Sequence, residues 1–155
     1  MAKPDNLFSR EFLILNFVFF VAAMATAVFF QLHQYLRFLG ISQSWSGFII
    51  AADALPALIL QPLLGVFLNN FNARKWLLFG AICMIAALLS YKVATSVTTL
   101  VLVRTFQGAG FACLVAALMV MVVEHIPPQK SGSAFGIIST IRLLITTTLL
   151  LSNAA

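Results

Sequence analysis

Charge is what this chain has least of. Only 8% of its 155 residues are Asp, Glu, Lys or Arg, where an ordinary soluble domain carries about 25%. Four residues are acidic. So few charges cannot clothe a water-facing surface, and a domain of this size exposes a large share of its area in any fold. A soluble enzyme and a disordered tail are excluded on that ground. Cysteine is scarce as well. Cys83 and Cys113 each sit in the middle of an apolar run, without CxxC spacing or a His/Cys cluster, and read as small free thiols in helix packing. The sequence holds no metal-ligand spacing, nucleophile triad or phosphate-binding loop. The expected protein is not an enzyme and takes no cofactor or metal. Nothing in it points to ATP, so any driving force is expected to be an ion gradient.

What fills the chain is apolar: 62% of residues are hydrophobic. Five runs carry the excess, at about 12–30, 47–68, 76–94, 100–123 and 134–151. At ~1.5 Å rise per residue, about 20 residues cross a hydrocarbon core of ~30 Å, so each run is read as a membrane-spanning helix. The expected fold class is all-α, a polytopic helical protein with membrane lipid as its solvent. Residues 1–11 are read as a short cytoplasmic N-terminus. The first run covers 19 residues, against roughly 7–15 for the apolar region of a secretory signal. It is therefore read as an uncleaved span. In the second run, Pro56 and Pro62 are expected to bend the helix.

The net charge is +5. The basic residues are scattered singly or in pairs and form no stripe, so nucleic acid is not an expected partner. They read instead as charges that orient insertion. With the N-terminus inside, the inner segments hold Lys3, Arg10, Arg74, Lys75 and Lys130, and the outer segments hold Arg37 and Lys92. That asymmetry favours a cytoplasmic N-terminus. The short loops suggest a bacterial inner membrane.

Several segments, in order, resemble the major facilitator superfamily. Arg104-Thr105-Phe106-Gln107-Gly108-Ala109-Gly110 matches that family's R-x-x-Q-G-x-G at every fixed position, at the start of the fourth span. The segment from Gly65 to Lys75 is similar to its G-x-L-x-D-R-x-G-R-R loop between the second and third spans. Here the glycine is Gly65 and the last arginine is Arg74, while Asn69 replaces the aspartate, Ala73 the first arginine and Asn72 the second glycine. Residues 128–136 look like the family's P-x-x-R-G-x-A-x-G, with Ser131 in place of the arginine. Tyr35-Leu36-Arg37-Phe38-Leu39-Gly40-Ile41-Ser42 is similar to the segment that follows the first span. The resemblance implies the N-terminal part, about five of twelve spans, of a secondary transporter built from two six-helix halves. The substrate path of that architecture lies between the halves, so a complete transporter needs the C-terminal half as a partner.

A few polar groups lie inside the runs. Asp53 is roughly 9 Å and Arg104 roughly 6 Å below the outer surface by helical rise, so they are candidates to pair. An arginine stays charged and can hold a nearby carboxylate ionised. In the family the matching arginine is associated with proton coupling. Gln107 and Gly108 follow Arg104 at i+3 and i+4 and share roughly its face. Arg142 is roughly 12 Å deep, near the midplane, beside Ser139 and Thr146. It suits an anionic substrate group or a structural acid. Gly65, Gly108 and Gly110 are read as motif glycines and helix-packing positions. Asn69, Arg74 and Lys75 form the cytoplasmic gate loop by resemblance, with Arg74 and Lys75 open to a simpler reading as orienting charges. The transport and coupling candidates are thus Asp53, Arg104, Gln107 and Arg142. The expected function is transport of a small solute by alternating access, with proton-coupled export favoured. The alternatives are an uptake permease for an organic anion, bound at Arg142, and a truncated membrane remnant that transports nothing.

Overall fold

The computed structural model describes residues 10–69, 71–126 and 130–154. The side chains at 27, 28, 30, 141, 142, 145, 146 and from 148 onward lie outside the described set, as does most of the expected cytoplasmic segment 1–11. All regular structure among the described residues is helical. In chain order the helices are α1 (Arg10–Ala27), a 3₁₀ turn (Val28–Gln31), α2 (Leu32–Phe38), α3 (Gln43–Ala51), α4 (Ala54–Phe67), α5 (Ala73–Ser90), α6 (Val97–His125) and α7 (Ser131–Ala154).

The chain divides into two compact units, one formed by Leu32–Val120 and the other by Met1–Gln31 with Met121–Ala155. In the latter, α1 packs on α7. Phe12, Leu15 and Ala22 of α1 are buried, whereas Leu13, Ile14, Phe17 and Val21 are exposed. Asn16 is only 8% exposed, and its Nδ2 donates to the Phe12 carbonyl one turn back at 2.8 Å.

In the Leu32–Val120 unit, local chemistry sets each helix end. Helix α2 stops at Gly40, whose φ of 73° is open to glycine at little cost. There Ile41 N–H donates to the Leu36 carbonyl at 3.1 Å and Gly40 N–H to that of Arg37 at 3.0 Å, which closes the helix end as a Schellman motif. The expected bend of the second run is a break at Ala52 and Asp53, between α3 and α4. Pro56 accounts for it. Its ring crowds the carbonyl four residues back, at Ala52, and it offers no N–H, while in the first turn of α4 neither defect matters. Pro62 sits within α4. Helix α5 ends at Ser90, before the expected limit at 94, because the chain turns there to reach Ser96. Ser96 opens α6 by a reciprocal cap: its N–H donates to Thr99 Oγ1 at 3.2 Å, and Thr99 N–H donates to Ser96 Oγ at 3.3 Å.

Leu64 and Leu68 pack with Ala112 and Cys113, backed by Ala57, Leu60, Trp76, Ala116 and Val120. Cys83 and Cys113 are free and buried. The outer faces are apolar: Leu58, Val66, Phe71, Ile82 and Leu102 are all strongly exposed. Among the described residues, three stretches are long and apolar enough to cross a membrane, Gln43–Phe67, Ala73–Ser90 and Val97–His125. Exposed apolar surface on this scale belongs against lipid tails or protein rather than water. The protein is a helical membrane protein.

Candidate functional site

The break between α3 and α4 creates two electrical poles. Ile50 lies in the last turn of α3, where helix carbonyls lack intrahelical partners and carry partial negative charge. Asp53 stands at the N-terminal end of α4, where a negative charge is favoured. Arg104, on α6, reaches both. Its Nη2 lies 3.5 Å from Asp53 Oδ2 and 3.5 Å from the Ile50 carbonyl oxygen. Arg104 is 5% exposed, while the Asp53 side chain is 37% exposed. One member of the pair is thus buried and the other meets the surroundings.

The spacing R-x-x-Q-G has a geometric meaning here. Gln107, one turn along α6 and 2% exposed, accepts through Oε1 a hydrogen bond from Arg104 Nη1 at 3.0 Å. Gly108, at i+4 from Arg104, lies directly against the Asp53 backbone. A Cβ there would fall 2.7 Å from Asp53 Cα and 2.8 Å from its carbonyl carbon, and closer still to its carbonyl oxygen. Only a residue without a side chain lets α6 approach the break this closely. Gly110 makes a second close approach, on α5: its Cβ would meet Cys83 Cβ at 2.7 Å. Gly80 faces it from α5, where a Cβ would fall 2.6 Å from Leu114 N and 2.8 Å from the Gly110 carbonyl oxygen.

Two tyrosines extend the cluster. Tyr91, just past α5, donates its hydroxyl to Gln107 Oε1 at 3.0 Å. Tyr35 on α2 donates its hydroxyl to the Tyr91 carbonyl at 3.3 Å. Of the residues singled out from the sequence, the structure brings together Asp53, Arg104, Gln107 and Gly108. Gly65 makes no such close approach: among the described residues, no heavy atom outside its own helix backbone lies within 4 Å of where its Cβ would be. Arg142 lies on α7, but its side chain is outside the described residues, and so is that of Thr146. Sequence reasoning missed Tyr91, the Ile50 carbonyl, Gly80 and Asn16. A tyrosine beside Lys92 at the end of an apolar run looks like an ordinary interfacial anchor, so no local signal distinguishes Tyr91.

The loop between α4 and α5 is fastened by asparagines. Asn69 Oδ1 accepts from the N–H groups of Phe71 and Asn72, at 3.2 and 3.1 Å. Asn72 Oδ1 accepts from Asn69 N–H at 2.9 Å, and its Nδ2 donates to the Phe67 carbonyl at 3.1 Å. Asn72 stands where the family motif has glycine, and its φ of −107° needs none. Arg74 and Lys75 are exposed. Among the described residues, no group of three or more His, Cys, Asp or Glu could hold a metal ion.

Comparison with known proteins bears on the family of the chain. The chain is 28% identical over 137 residues to MFS transporter L2 of a Phoma species, covering 86% of this chain and 22% of that protein. It is 24% identical over 140 residues to Multidrug resistance protein 2 of Bacillus subtilis, covering 90% of this chain and 35% of the relative. It is 23% identical over 96 residues to the Multi-drug resistance efflux pump PmrA of Streptococcus pneumoniae, covering 62% of this chain and 24% of the pump. The chain therefore spans about a fifth to a third of the length of these relatives. No solved structure gives a significant match. The family profile described as Major Facilitator Superfamily matches residues 12–151, nearly the whole chain, and the chain belongs to that superfamily.

Proposed function

We propose that this chain forms part of a secondary transporter that exports small solutes by alternating access in exchange for protons. The observation that carries the reading is the Asp53–Arg104 pair at the helix break, with a buried cation and a half-open carboxylate. Such a carboxylate within an apolar span is costly unless paired, protonated or in a water cavity. It is suited to binding a proton in one state of a cycle and a cationic or polar solute in another. The names of two relatives, a multidrug resistance protein and a multidrug efflux pump, support export of drug-like solutes.

In this reading α1 and α7 serve as the first and fifth spans, the N-terminus is cytoplasmic, and the protein lies in a bacterial inner membrane. The C-terminal half of the architecture completes the substrate path between the halves. The Asn69–Asn72 loop with Arg74 and Lys75 forms the cytoplasmic gate. Anion uptake through Arg142 is the alternative reading, at a side chain outside the described residues.

The test uses cells that express the protein from its full reading frame, loaded with ethidium as the probe solute. Efflux is expected to stop when an ionophore collapses the pH gradient. Asp53→Asn is expected to abolish the dependence on that gradient. Efflux that continues unchanged after collapse rejects proton coupling.

A further inference from the structure

Asp53 is not the nearest partner of Arg104: their closest atoms are 3.5 Å apart and the carboxylate side chain is 37% exposed. The shorter bond comes from Gln107, whose Oε1 accepts from Arg104 Nη1 at 3.0 Å. An amide oxygen offers two lone pairs. Arg104 uses one, and the Tyr91 hydroxyl uses the other, also at 3.0 Å. With both occupied, the Gln107 amide cannot turn without losing two hydrogen bonds. The Tyr91 phenol is also a direct hydrogen-bond neighbour of Arg104 and lies within electrostatic reach of Asp53. Tyr91 is held in turn, through its carbonyl, by Tyr35 at 3.3 Å.

We propose that Tyr91 is a positioning residue that clamps Gln107, so that the Arg104 guanidinium stays fixed beside Asp53 whether that carboxyl is charged or neutral. The consequence for transport rests on the reading of Asp53 and Arg104 as the coupling pair. A cation anchored only by its acid would shift whenever the acid changed state. An independently anchored cation presents the same field in every cycle, and leaves the more exposed Asp53 as the member that exchanges partners. Tyr91 also ties the end of α5 to α6 beside the site, because its ring comes from one and its acceptor from the other.

The test is nitrogen-15 NMR of arginine side chains in the full-reading-frame protein, purified in lipid nanodiscs. Bond rotation averages the two Nη groups of a loosely held guanidinium, while fixed hydrogen bonds keep their signals separate. The wild type is expected to show separate signals that disappear in Arg104→Lys, which assigns them. Tyr91→Phe keeps the ring and removes the hydroxyl's hydrogen bonds to Gln107 and Arg104. It is expected to speed rotation of Arg104 at least roughly tenfold, the kinetic equivalent of one hydrogen bond of ordinary strength, and to merge the signals. Arg104 signals that stay separate and unchanged in Tyr91→Phe overturn the clamp and leave Tyr91 an interfacial anchor. Should Tyr91→Phe fail to fold, Gln107→Asn replaces it, since its shorter reach breaks the same junction; unchanged signals there are equally fatal. Ethidium efflux by the wild type, measured alongside, separates the two readings. Merged signals in Tyr91→Phe with no wild-type efflux uphold the clamp and reject the transport reading. Proton-driven efflux with signals indifferent to Tyr91→Phe does the reverse.

Discussion

Replacing Gly108 by alanine strikes the site without touching its charges. The new Cβ would fall 2.7 Å from Asp53 Cα, where ordinary contact begins at 3.4 Å. The obstacle is backbone, so no side-chain rotation relieves it. Helix α6 and the break must separate by at least about 0.7 Å, and by more to clear the Asp53 carbonyl oxygen, which carries the Arg104–Asp53 distance from 3.5 Å to beyond about 4.2 Å. Overpacking of this kind costs about 1–3 kcal/mol, and the upper end applies where backbone is in the way. Alanine returns about 1 kcal/mol in helix propensity, leaving a net loss of roughly 2 kcal/mol. For a chain of this size each kcal/mol shifts the melting midpoint by about 2–4 °C, so Gly108→Ala should melt roughly 4–8 °C below the wild type. Cys83 and Cys113 supply the assay, because both are free and buried. A fluorogenic thiol reagent reports their exposure as detergent-solubilised protein is heated. Gly65→Ala and Gly136→Ala are the controls, since no described neighbour lies within 4 Å of either added Cβ. They should gain about 0.5–1 kcal/mol and melt slightly above the wild type. A Gly108→Ala protein that melts with the wild type or above it would refute the close approach of α6 to Asp53.

Further outcomes follow from other parts of the chain. Asn72→Ala removes the bonds to Asn69 N–H and the Phe67 carbonyl and should cost about 1 kcal/mol, as for a lost helix cap, read in the same melting assay. Asn16 buries an Oδ1 that has no hydrogen-bond partner among the described residues. Asn16→Leu should therefore be neutral or stabilising by about 1–3 kcal/mol; a lowered melting midpoint would show that the oxygen is satisfied in the membrane.

Much of the scaffold is legible in the sequence, since long apolar runs between polar breakers permit little besides helices. The pairing of Asp53 with Arg104 is also legible, because similar depth and opposite charge in an apolar span leave few alternatives. The R-x-x-Q-G spacing places Gln107 and Gly108 on one face of α6 by helical period alone. Other features depend on tertiary placement that no local pattern encodes. Tyr91 becomes part of the site only because the turn after α5 returns it to α6. Gly80 matters because of its register against Gly110 and Leu114, and it belongs to no motif. Gly65 matches a motif, yet an added Cβ there would meet no neighbouring helix among the described residues. The prolines announce a bend in the second run, but only the fold shows that it falls at Asp53 and gives that carboxylate a helix end.

The most direct measurement is proton release from the purified full-reading-frame protein when ethidium is added in a lightly buffered detergent solution. If solute and proton exchange at Asp53, solute binding should release protons, up to one per bound solute, and weaken as the pH is lowered, as linkage between two ligands of one group requires, and Asp53→Asn should release none. Binding without proton release, or equal release from Asp53→Asn, would contradict the assignment of Asp53 as the coupling carboxylate.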